Sequence, residues 1–150
     1  MDEIELLAEG NDALAGIDLD AVGDGELGEM LVALQREKAR LMANQIRVMG
    51  AFEARRAHVG DGSKTAAVWL ARATRCAPGE ARALVRHGRR LPHMSVTREA
   101  FAEGLISERH AGVLGGLYAS PRKPVADAFG GAEEMLVGCA RELSFDDFLA

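Results

Sequence analysis

The chain has 150 residues, 48% hydrophobic and 27% charged, enough apolar material for one domain with a real core, which excludes disordered and fibrous classes. Its 26 Ala and 17 Leu stand against 10 Val, 4 Ile and 3 Thr, so an all-α fold, a multi-helix bundle, is expected. The net charge of −5 hides ten acids and no Lys or Arg in residues 1–34, 17 bases against seven acids in 35–123, and six acids against one Arg in 124–150; a basic centre between acidic flanks favours nucleic acid only slightly.

No 18-residue apolar run occurs, and Asp2, Glu3 and Glu5 stand where an export signal needs basic residues, so a cytoplasmic protein without a membrane partner is expected. Cys76 and Cys139 form no CxxC and have no His at ligand spacing, which fits small buried residues in a reducing compartment rather than a disulfide or a metal site. Residues 1–25 read as an acidic, flexible lead-in with one short amphipathic stretch at 4–8, and residues 26–150 as a single helical domain. From 26 to 57 a long helix is expected, on the order of 45 Å, with Gly28 near its start and Gly50 near its end. Leu27, Leu31, Leu34, Leu41, Val48, Met49 and Phe52 form its expected core stripe, broken by Lys38 and Gln45, with Arg36, Arg40 and Arg47 on the opposite face.

After Val59-Gly60-Asp61-Gly62-Ser63, with Asp61 or Ser63 as cap, a helix is expected over 65–73, then a turn at 74–77 and a helix over 78–91 opened by Pro78 and stopped by Pro92. A helix from Ser95 or Thr97 to 103 is closed by Gly104, and Ser107 caps another over 108–118. Residues 125–129 and 132–143 read as two helices separated by Gly130-Gly131. Ser144 caps a last segment with Asp146 and Asp147 in its first turn; a helix capped, charged and then cut off at Ala150 leads us to expect a chain that is the front part of something longer.

Few residues suggest catalysis. Gly60-Asp61-Gly62-Ser63-Lys64-Thr65 lacks the Gly before Lys64 and the preceding strand that a phosphate loop needs. Ser107, Glu108 and His110 on one helix are better explained as a cap, a dipole-favoured acid and an imidazole of core or surface than as a catalytic group. No HNH nuclease motif is present, and no cofactor, metal or small-molecule ligand is expected. The strongest local signal is the pair of helices over 65–73 and 78–91. Arg82, Arg86, Arg89 and Arg90 fall within roughly 100° of arc at helical spacing, opposite Ala81, Leu84, Val85, Gly88 and Leu91. This is either a helix-turn-helix seat for duplex DNA, aided by Arg72 and Arg75, or a plain helical hairpin with a charged exterior; the turn Thr74-Arg75-Cys76-Ala77 lacks the glycine often found in such motifs.

The segment Gly104 to Ala111 is similar to the G-x-[IL]-S-x-x-H-A turn of plasmid-partition DNA-binding domains. More broadly, Trp69-Leu70-Ala71, Pro78-Gly79-Glu80-Ala81-Arg82, Leu91-Pro92, Phe101-Ala102-Glu103-Gly104 and Ile106 to Ala111 resemble, in order and spacing, the actinobacterial domain of unknown function 222. That likeness covers roughly residues 26–149. It implies a helical region found in repeat-element proteins, usually followed by a C-terminal HNH endonuclease domain, and hence a link to DNA and mobile elements. Arg75 and Ala77 depart from a turn Gly and a capping Ser common there, and no catalytic residues carry over. Two functions follow as expectations. One is a non-catalytic accessory domain engaging duplex DNA through Arg72, Arg75, Arg82, Arg86, Arg89 and Arg90. The other is a self-association module that uses the long helix and forms a homo-oligomer without binding DNA.

Overall fold

The computed structural model describes residues 2–150. Among them are eight α-helices, three 3₁₀ turns and no strand, so the all-α expectation holds. No helix is long and apolar enough to cross a membrane. The residues cluster into two compact units, Met1–Leu34 and Gln35–Ala150.

In the first unit the expected lead-in carries a 13-residue helix, α1 (Glu3–Ala15). Its start is a capping box: the Asp2 carboxylate accepts from the Glu5 N–H at 2.8 Å, and Glu5 accepts from the Asp2 N–H at 2.9 Å. Those reciprocal bonds start the helix, which runs past the expected short stretch at 4–8 and through Gly10. None of its residues is buried. A short turn at Leu19–Ala21 leads to α2 (Asp24–Ala54), 31 residues long; the boundary between the two units falls inside it.

The length of α2 was expected, but its core face matches the expected stripe only at Met49 and Phe52. Ala39, Ile46 and Met49 are buried, with Met42, Ala43 and Phe52 packed beside them. Of the expected stripe, Leu31, Leu34, Leu41 and Val48 are exposed. The reason is steric. Small residues on the true core face let neighbouring helices come close, and Gly50 meets Gly88 so tightly that a Cβ on Gly88 would lie 3.2 Å from the Gly50 backbone; large aliphatics there would hold the helices apart.

The second unit continues with α3 (Ala66–Thr74), α4 (Pro78–Arg90), α5 (Ser95–Ala102), α6 (Glu108–Tyr118), α7 (Lys123–Glu142) and α8 (Phe145–Leu149). Helix α3 packs on α4, α6 on α7, and α5 on both α6 and α7, around a core that includes Ile46, Met94, Phe101 and Leu114. The cap of α3 is Thr65, whose hydroxyl accepts from the Val68 N–H at 3.1 Å; Asp61 and Ser63 bond each other instead, at 3.0 Å. Ser107 caps α6 and Ser144 caps α8, as expected. The two helices expected around Gly130-Gly131 are one, α7. Phe129, Glu133, Val137 and Ala140 form a buried stripe across both glycines, and that packing outweighs a helix penalty of about 1 kcal/mol per glycine. Both cysteines are free, and half-buried rather than buried.

Helix α5 has no cap of its own, since Met94 offers no acceptor. The buried Glu133 carboxylate reaches across from α7 and accepts from the Thr97 N–H at 2.9 Å and the Thr97 hydroxyl at 3.0 Å. Gly104, at φ 73, then ends α5 against α2: a Cβ there would lie 2.7 Å from the Arg36 carbonyl oxygen, and the Arg36 Nε–H donates to the Glu103 carbonyl at 3.0 Å.

Candidate nucleic-acid interface

Helices α3 and α4 and the turn between them bring the six predicted arginines onto one hairpin. Thr74 ends α3 by donating its hydroxyl to the Leu70 carbonyl at 2.8 Å. Arg75 follows in the left-handed region, at φ 58 and ψ 22, where a residue with a side chain is strained and Gly is the usual occupant. Ala77 is extended, and Pro78 opens α4. On α4, Ala81, Leu84, Val85, His87 and Gly88 are buried, which leaves Arg82 and Arg86 in the middle of the outer face, both exposed.

The other arginines are not equivalent to these. Arg89 lies at the α2 edge of α4 and makes a two-pronged ion pair with Glu53, its Nε–H donating to Oε1 at 2.9 Å. The short Gly50–Gly88 approach places Glu53, one turn on from Gly50, beside Arg89, and the carboxylate raises the Arg89 pKa above its ordinary value. Arg72 is paired with Asp61 at 2.9 Å. Burial opposes ionisation of Asp61, but the Ser63 hydroxyl and N–H, with Arg72, outweigh it and hold the carboxyl below its usual range. Arg90 lies at the α6 edge, half-buried, its stem over Gly115. Among the described residues, Arg75, Arg82, Arg86 and Arg90 make no ion pair. Nothing in the sequence marked Glu53 and Asp61 as partners, because both pairings depend on tertiary contacts.

His87, beneath this face, stands 3.6 Å from Glu108. Burial lowers its pKa, Glu108 opposes that, and Arg86 and Arg90 add to it, so the imidazole is neutral at pH 7 and the approach is not an ion pair. The Ser107–Glu108–His110 group is a capping device. The His110 Nδ1 accepts from the Ser107 N–H at 3.1 Å and meets the Ser107 hydroxyl at 2.8 Å. Its Nε2 is buried without a hydrogen-bond partner, and the imidazole packs edge-on with the Phe145 and Phe148 rings, at 5.1 Å between centroids in each case. Burial lowers the His110 pKa. A groove of about 930 Å³ opens between α2, the end of α4 and α5, with Ile46, Leu91 and Phe101 in its lining and Arg47, Arg89 and Arg98 among its charged residues. The described residues contain no group of three potential metal ligands.

The family described as Domain of unknown function (DUF222) has a model that matches residues 28–146. No curated protein and no solved structure matches the chain.

Proposed function

The chain belongs to this family of unknown function, and we propose that it is a non-catalytic accessory domain of an HNH-endonuclease-type cytoplasmic protein, one that helps that protein engage duplex DNA. One observation carries the reading: three guanidinium groups without carboxylate partners, Arg82, Arg86 and Arg90, share the outward side of α4, and a fourth, Arg75, sits at the turn before it. Guanidinium forks suit phosphate oxygens, and phosphate contacts position a helix on a duplex without reading its sequence. Arg72 and Arg89 contribute less, since Asp61 and Glu53 already neutralise them.

Four phosphate contacts predict a salt slope of about −3.6, which is roughly a 150-fold loss of affinity between about 50 and 200 mM salt. Fluorescence anisotropy with a labelled duplex measures it. Replacing Arg82 and Arg86 together by Ala should bring the slope to about −1.8. An unchanged slope removes Arg82 and Arg86 from the interface. No binding at low salt overturns the reading and leaves self-association as the domain's role.

A further inference from the structure

Helix α2 has two apolar faces, and the core uses only one. The other consists of Leu31, Leu34, Leu41 and Val48, 70%, 42%, 47% and 64% exposed, with Lys38 and Gln45 in the gaps. These six positions recur at alternating steps of three and four, which is the a/d seam of a coiled coil. The seam spans about 26 Å. Ala39, Ile46 and Met49, which hold α2 to its own domain, lie off this seam, so a partner helix reaches it without opening the fold.

We propose that α2 pairs antiparallel with α2 of a second copy of this chain, Leu31 against Val48, Leu34 against Gln45 and Lys38 against Leu41, about a two-fold axis between residues 39 and 40.

The seam maps onto itself when reversed. Each a position meets a d position of the other copy, and the two polar residues each meet a leucine. Lys38 lays its aliphatic stem along Leu41 and keeps its ammonium in water. Parallel pairing would set Lys38 against Lys38 and Gln45 against Gln45 at the centre, a costly arrangement for the charged pair. Charge along the helix gives the same direction. Residues 24–34 carry Asp24, Glu26 and Glu29 and no base, and in this register they face residues 45–55 of the second copy, which carry Arg47 and Arg55 against Glu53. Antiparallel pairing opposes unlike ends; parallel pairing opposes like ones.

Sedimentation equilibrium of the full chain across a wide concentration range should show a reversible monomer–dimer equilibrium. Leu31→Asp and Val48→Asp should each weaken the dimer at least about tenfold, since each places a carboxylate in the seam. Both positions are exposed, so helicity by circular dichroism should stay unchanged in these variants. In a background with Cys76→Ala and Cys139→Ala, a Leu31→Cys chain mixed with a Val48→Cys chain should form a mixed disulfide, and Leu31→Cys alone should form none. A monomer at every concentration overturns the proposal. So does a dimer indifferent to both aspartates, and so does a Leu31→Cys chain that cross-links to itself.

Discussion

Arg75→Gly separates stability from DNA binding at one position. Arg75 caps α3 at φ 58 and ψ 22, a left-handed conformation that costs a side-chain-bearing residue about 1–2 kcal/mol. Glycine removes that cost but enlarges the unfolded ensemble, which returns about 0.4–1 kcal/mol. The expected net gain is about 0.5–1 kcal/mol, or roughly 1–4 °C in Tm for a chain of this length. The same substitution deletes one guanidinium from the turn, so the salt slope of duplex binding should become shallower by about 0.9. Thermal melting and anisotropy titrations on the same preparations read the two effects. Arg56, at φ 52, is the comparison: Arg56→Gly relieves equivalent backbone strain without touching the α3–α4 turn and should stabilise similarly. Arg75→Lys keeps both strain and charge and should resemble the parent in both assays. A Gly variant that gains stability but binds with an unchanged slope excludes Arg75 from the interface. One that gains nothing where Arg56→Gly gains shows that the end of α3 holds no relievable strain.

Glu133→Ala leaves the buried Thr97 N–H and hydroxyl without their acceptor; two buried donors left unpaired set the cost at about 2–4 kcal/mol by urea unfolding, and Glu133→Gln at about half that. A loss below about 0.5 kcal/mol would mean the cap contributes little. Gly104→Ala forces a Cβ to 2.7 Å from a backbone oxygen at positive φ and should cost at least about 2 kcal/mol, whereas Gly131→Ala, with nothing within 4 Å, should gain about 0.5–1 kcal/mol of helix propensity; equal effects would refute both steric readings. His87 and His110 have pKa values lowered by burial, so the unfolded chain binds protons first as pH falls. The stability they contribute is complete above the ordinary value of 6.5 and declines as pH drops below it. The urea midpoint should therefore be lower at mildly acidic pH than at neutral pH, and His110→Gln, which keeps an acceptor at the capping position, should reduce that dependence; a midpoint flat across this range contradicts the assignment.

The elements with local causes could be read from the sequence. Pro78 opens α4, Ser107 caps α6, Gly104 closes α5, and the steep contrast between Ala81, Leu84 and Val85 and the arginines fixes the outward face of α4. What escaped the reading depends on distant residues. Glu133 caps a helix 36 positions away in sequence, and Gly130-Gly131 is helical because a stripe on the far side of α7 is buried. The capping box at Asp2 and Glu5 was a local signal that went unread, masked by the glycines and aspartates after it.

Helix α2 shows why most of its core face was misassigned. Periodicity reports that a row of side chains is apolar, not what covers it, and α2 has two such rows. Size decides between them: the row with Gly50 admits the backbone of α4 at Gly88, while the row with Leu31, Leu41 and Val48 would hold a neighbour at coiled-coil distance. The same crossing divides the arginines. Because Gly50 and Gly88 touch, Glu53 reaches Arg89 and neutralises the edge of α4 nearest α2. The unpaired charge is then confined to Arg82, Arg86 and Arg90, with Arg75 at the turn. Exchanging Gly50 or Gly88 for a larger residue would therefore do more than loosen the core. It would separate Glu53 from Arg89 and widen the basic face, so a destabilised variant of this kind should bind duplex with a steeper salt dependence than the parent chain.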